Sequence, residues 1–187
     1  MNTPTTSIRR RASARLVCAG AFSLLAFCLS SGLTHAAGIQ AVRVASGFTL
    51  PLYIGAAPGD NSRLFIAEQN GHVKIVNLPA GTVNPTPCLD ISSEVAQNAG
   101  GGILGMTFDP NYATNGRFYI SYTTAAGGVF GMGVSHIARF NVTADPAIAD
   151  PASEVTVITA DQPETEPNFD WIGFSPRRRD ENNLYIA

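Results

Sequence analysis

The 187 residues carry 12 Lys+Arg against 14 Asp+Glu, and four of the arginines (Arg9, Arg10, Arg11, Arg15) stand in the first 37 residues with no acid among them. Beyond residue 37 the balance is 8 against 14, a net charge of −6, which argues against nucleic acid or an anionic membrane as a main partner. Cys18 and Cys28 also fall in that first stretch, so Cys88 stands alone in the remainder, which can build neither an intramolecular disulfide nor a thiolate metal site.

Residues 1–37 follow the order of a secretory signal peptide: a basic start, an apolar run from Leu16 to Leu29, and small residues at Thr34 and Ala36 flanking a cut after Ala36 or Ala37. The run falls short of the ~20 residues needed to span a bilayer. Bulky Phe27 before Cys28 speaks against a lipoprotein cut. The expectation is an exported protein, secreted or periplasmic in a bacterium. Its single domain, residues 38–187, would have no membrane attachment once the signal is removed.

Strand signals dominate the rest. Arg63 to Glu68 and His72 to Asn77 read as a hairpin joined by Gln69-Asn70-Gly71, where Asn-Gly suits positive φ angles. Val73 and Ile75 share one face of the second strand, His72 and Lys74 the other. Pro79, Gly81, Pro85 and Pro87 break the chain before a short Cys88-Leu89-Asp90-Ile91 strand. The only helix candidate is a turn near Ser92-Glu94-Val95. After Gly100-Gly101-Gly102 come four strands: Ile103–Phe108, Arg117–Thr124, Ser135–Thr143 and Glu154–Ala160. A glycine-rich link (Gly127, Gly128, Gly131, Gly133) joins the second to the third, and a polar loop with Pro146 and Pro151 precedes the fourth. Trp171–Ser175 and Leu184–Ala187 follow as strands.

Three times a proline and an asparagine turn precede a short apolar strand, with Phe65, Tyr119 and Tyr185 at the matching position, 54 and 66 residues apart. An imperfect repeat of short strands predicts an all-β fold of β-propeller blades, which bury their faces only against neighbours. About two and a half blades are present, whereas a closed ring needs about 4–8. Uncapped repeats are poorly soluble alone, which predicts a longer parent protein. Closure by oligomerisation and a product that does not fold are the alternatives.

Several segments, in order, resemble the secreted glucose/sorbosone dehydrogenase family of soluble sugar dehydrogenases that use pyrroloquinoline quinone (PQQ). They are Ala56 to Gly71, Leu89-Asp90-Ile91-Ser92, Gly102 to Tyr119 (with Gly102-Ile103-Leu104-Gly105), Ala149 to Glu154, and Trp171-Ile172-Gly173-Phe174-Ser175-Pro176. Together they cover nearly all of residues 41–187. The resemblance implies a six-bladed propeller and hydride transfer from the anomeric carbon of an aldose to PQQ, with Ca²⁺ polarising the cofactor and a histidine as base. The base belongs to an Asn-His-Asn-Gly-Gly-like run just before the Trp171 strand. Here that run is Glu166-Pro167-Asn168-Phe169-Asp170, and Pro167 can neither take nor give a proton. A polar Gln or Glu of the family is likewise replaced by Gly100. The chain as written is therefore expected to be inactive, with most of the PQQ and Ca²⁺ sites beyond residue 187. The rival reading is a non-catalytic propeller that binds a glycan or a protein.

No residue is assigned a catalytic or metal-binding role. His72 and His136 read as satisfied structural histidines. Glu164, Glu166 and Asp170, beside Asp161, read as a solvated acidic loop between prolines; carboxylates so spaced could also bind a hard cation. Asp60 and Asp109 read as turn residues bonding their own backbone. Gly100–Gly102 reads as a flexible inter-blade loop, lacking the strand and helix of a phosphate cradle. Cys88 reads as a small buried hydrophobe, and Asn141-Val142-Thr143 as an idle glycosylation pattern.

Overall fold

A computed structural model describes residues 39–96, 100–124, 133–161, 169–177 and 180–187. The predicted signal peptide, the run holding Glu164, Glu166 and Pro167, and most of the glycine-rich link fall outside these residues. Residues 39–42 belong to a separate unit, and Arg43–Ala187 form the other, described below.

The first sheet holds β1 (Pro51–Gly55), β2 (Arg63–Glu68), β3 (His72–Asn77) and β4 (Thr82–Val83) in that order, with β5 (Leu89–Asp90) also pairing β3. The second runs β6 (Gly102–Phe108), β7 (Arg117–Thr123), β8 (Val134–Val142), β9 (Ala149–Asp161), and β10 (Ile172–Phe174) pairs β11 (Leu184–Ile186) in the third. Every pairing is antiparallel. Each sheet is a propeller blade, the third only begun, so the all-β expectation and the blade repeat are both met. Among the described residues no helix is long and apolar enough to cross a membrane.

The strands form where β-branched and aromatic residues fit a half-buried pleat. In β7 the alternation assigns faces: Phe118, Ile120 and Tyr122 join the core with the first blade, while Tyr119 packs its ring on Phe174 of the third at 5.3 Å. β6 lies against both neighbouring blades, so five of its seven residues are buried and it shows no in–out alternation. Gly105 permits the close approach of the third blade, because a Cβ there would stand 2.6 Å from the Asp170 carbonyl oxygen. Between the first two blades an aromatic chain closes the core. Phe108 meets Phe65 and Tyr112 edge-on, each at 4.9 Å, and lies 6.4 Å from Phe118, which stacks on Phe140 at 5.9 Å. Each such ring contributes about 1.5–3 kcal/mol by burial alone.

Four details differ from the sequence expectation. A helical turn, α1 (Tyr112–Asn115), forms in the β6–β7 loop, too short to show a helical period, and ends on Gly116 at φ 63°. The region near Glu94 is a turn without helix. β9 starts at Ala149 rather than Glu154, because Ala149 N–H reaches the Cys88 carbonyl at 2.7 Å and extends the pairing past Pro151. In the Gln69–Gly71 turn only Gly71 takes a positive φ, 99°, and its N–H closes on the Glu68 carbonyl at 3.1 Å. Asn70 does not take the left-handed conformation.

Leu50, Leu52 and Ile54 of the first blade and Trp171, Tyr185 and Ile186 of the third are exposed apolar side chains. Tyr185 lies on the face of the third blade opposite buried Ile172, while Ile186 pairs with Ile172 itself.

Candidate site at the strand-entry mouth

β6, the first strand of the second blade, packs beside both β1 of the first and β10 of the third. The entry segments of β1 and β6 meet at the β2–β3 turn, which forms the mouth. Gln69 links the two through its main chain: its N–H donates to the Leu50 carbonyl at 3.0 Å, and its carbonyl accepts from Ile103 N–H at 3.0 Å. Its side-chain amide adds a bond to the Gly101 carbonyl at 2.7 Å. On the far side Ser121 Oγ donates to the Phe169 carbonyl, which fixes the segment that follows Pro167.

The glycines at this mouth serve contact rather than flexibility. Gly101 and Gly102 are buried, Gly102 has φ 99°, and a Cβ on it would overlap the Gln69 carbonyl oxygen. Gly102→Ala is expected to cost about 2 kcal/mol, from the left-handed backbone and the overlap together. Gly59→Ala is the control, since Gly59 has φ 79° but open space around it. Denaturant midpoints that fall equally for both would show that the contact with Gln69 carries no weight.

Beside the turn lies a charged cluster. Glu68 ends β2 fully buried, its Oε1 accepting from Lys74 Nζ at 2.9 Å and from Thr49 N–H at 2.6 Å, while its Oε2 has no hydrogen-bond partner. His72 Nδ1 stands 3.9 Å from Oε2 and 3.1 Å from Asn70 Oδ1, and Nε2 lies 3.4 Å from Asp90 Oδ1. The Ser92 hydroxyl and N–H, with His72 beside them, hold the Asp90 carboxyl below the usual aspartate range. Cross-strand register explains the grouping, since His72 sits opposite Asp90 and Lys74 opposite Ile66, two residues before Glu68. His72 is thus held between polar groups. The part played by Glu68 and Lys74 was missed. A carboxylate and a lysine diagonal across a predicted hairpin were the available signal.

A second cluster lies on the second blade, against the segment that leads into it. Tyr122 hydroxyl donates to Glu154 Oε1 at 2.7 Å, and the His136 ring stacks on Tyr122 at 5.0 Å. His136 Nδ1 is buried without a partner, so this histidine is not satisfied, contrary to the sequence reading; burial lowers its pKa. Burial first, then the neighbouring Glu154 carboxyl, raises the Glu94 pKa above 4.5. A carboxyl with a raised folded pKa favours the fold most below its unfolded value and withdraws that support as pH rises through the folded one. Glu94→Gln is therefore expected to stabilise the protein near neutral pH and to leave it unchanged below the ordinary glutamate range. Equal effects in unfolding titrations at both pH values would contradict this.

Asp60 and Asp109 bond their own turns, Oδ1 accepting from Ser62 N–H and Asn111 N–H at 2.8 Å each, as the sequence indicated. Cys88 is buried, and burial pushes its thiol up to about 11, which makes it inert. Asn141 is engaged, its Nδ2 donating to the Asn115 carbonyl at 3.2 Å. Asp161 and Asp170 are exposed and stand in no cluster able to hold a metal; none exists among the described residues. Glu164, Glu166 and Pro167 lie outside them.

The described residues hold no metal-ligating cluster, and none of them is assigned to PQQ or Ca²⁺. PQQ is an anion, yet the lysine beside the mouth, Lys74, is bound to Glu68, while Arg63 and Arg117 begin their strands at the opposite end.

The sequence profile of the Glucose / Sorbosone dehydrogenase family matches residues 49–187. The chain is 45% identical over 87 residues to Hedgehog-interacting protein of Homo sapiens, covering 43% of this chain and 12% of that protein. It superposes on the PQQ-bound form of aldose sugar dehydrogenase from Streptomyces coelicolor with a TM-score of 0.59 at 21% identity, over 74% of this chain and 39% of that one. A putative oxidoreductase (glucose dehydrogenase) from Thermus thermophilus gives 0.62 at 19%, over 80% and 40%. The chain thus spans well under half the length of the proteins it matches.

Proposed function

The chain belongs to the glucose/sorbosone dehydrogenase family, and on that premise we propose that it supplies the first blades of an exported, sugar dehydrogenase-like propeller. The chemistry of such a propeller is hydride transfer from C1 of a soluble aldose to PQQ. Supporting this is the family match over residues 49–187, laid on blades of which the first two meet at their entry ends. The residues present build the rim of the mouth: Gln69 and Gly102 fix the entries of β1 and β6, and Ser121 fixes Phe169. No step through PQQ or Ca²⁺ is assigned to them. Pro167 at the base position makes the chain alone inactive in this reading, and export rests on the signal-like residues 1–37.

The test is aldose-dependent dye reduction by a protein that carries these residues in a closed ring, loaded with PQQ and Ca²⁺, before and after Pro167→His. No turnover with any aldose from either form would end the dehydrogenase reading.

A second reading is a secreted propeller that binds a glycan or a protein partner without catalysis. The loss of the base at Pro167 favours it, and so does the 45% identity to a protein named for interacting with Hedgehog.

A further inference from the structure

At the end of the blades away from the mouth, where β2 and β7 begin, the β1–β2 loop, α1 and the β8–β9 loop enclose a groove of about 450 Å³. That volume falls within the range of small-molecule sites, about 300–1,000 Å³. Both blades that wall it are described, and its lining contains none of the large exposed apolar residues.

Its polar groups are unevenly used. Both oxygens of the Asp60 carboxylate are occupied, Oδ1 by Ser62 N–H and Oγ at 2.8 and 2.6 Å, and Oδ2 by Arg63 Nε at 2.7 Å. Arg63 Nη1 is spent on the Pro146 carbonyl at 3.1 Å. Asn115 Oδ1 accepts from Arg117 N–H at 2.9 Å. What remains is two donors, Arg63 Nη2 and Asn115 Nδ2, and the hydroxyl of exposed Thr114, which can both donate and accept. Tyr112 also lines the groove; its buried hydroxyl has no partner, and burial pushes it up to about 12, so it stays a neutral donor. Arg63 and Asp60 cancel in charge, so the groove attracts neither anions nor cations strongly. Pro58, Ala113, Val142 and Pro146 supply apolar surface around these donors.

Surplus donors, cancelled charge and flat apolar surface suit a neutral, oxygen-rich ring. We propose that this inter-blade groove is a carbohydrate- or polyol-binding site, separate from the mouth and independent of whether the mouth is catalytic. Ring oxygens accept from the spare donors while the C–H face lies on the prolines.

The test uses the full ¹⁵N-labelled chain and methyl α-D-glucopyranoside, whose blocked anomeric oxygen bars oxidation at C1. Saturable shifts are expected at the amides of Gly59, Ala113 and Gly116. Thr114→Trp and, separately, Ala113→Trp fill the groove from exposed positions and should weaken binding at least about tenfold without lowering Tm. Shifts confined to Gly71 and Gly102 at the mouth, an absence of saturable shifts, or unchanged binding in a folded blocking variant would each overturn the proposal.

Discussion

Lys74→Met is expected to cost about 3–5 kcal/mol of folding stability, read as a fall in the denaturant midpoint at an unchanged slope. Glu68 is fully buried, and Lys74 is the lysine whose ammonium it holds at 2.9 Å. Removing the cation leaves a carboxylate with one backbone N–H on Oε1 and no hydrogen bond to Oε2. Water cannot reach it to compensate. Adding Glu68→Gln should restore most of the loss, because a neutral amide has little to lose from a missing ammonium. A cost below about 1 kcal/mol would mean that the pair behaves like an exposed ion pair and not a buried one.

The second expectation concerns turnover. Pro167→His, in a closed ring loaded with PQQ and Ca²⁺, is expected to raise aldose oxidation by about 10²–10⁴-fold, the contribution of a positioned general base. Imidazole suits that role because its pKa lies near working pH. The neighbouring backbone is already anchored: Phe169 accepts from Ser121, and Ile172 is buried against the second blade. A histidine two residues before Phe169 would therefore start from a fixed point. A large gain tells against a purely binding role. An unchanged, negligible rate, with folding and cofactor uptake intact, tells for it.

The blades were legible because their signals are local. Asn-rich turns and aromatic strands recur, and each needs only a few adjacent residues to declare itself, as Asn61 to Ala67 and Asn115 to Ser121 do. The start of β9 was not legible, since its first pairing is to Cys88, far away in sequence. Glu68 looked like one more polar residue at a strand end. Its burial comes from the N-terminal segment at Thr49 laid over it, and no periodicity encodes that. The groove beside Tyr112 was hidden for the same reason, since three loops distant in sequence enclose it.

Gln69 joins the first two blades through its own peptide group, taking Ile103 N–H and giving its N–H to Leu50. A joint made of main chain places almost no requirement on which side chains flank it, beyond the bare α-carbon at Gly102. At this joint the flanking side chains can change without breaking the bonds that hold the two blades together. About four in five aligned positions differ between this chain and the Streptomyces coelicolor enzyme, yet the blades superpose. What stays constrained between the two blades is the aromatic contact of Phe65 with Phe108, a demand on side chains that the main-chain joint does not make.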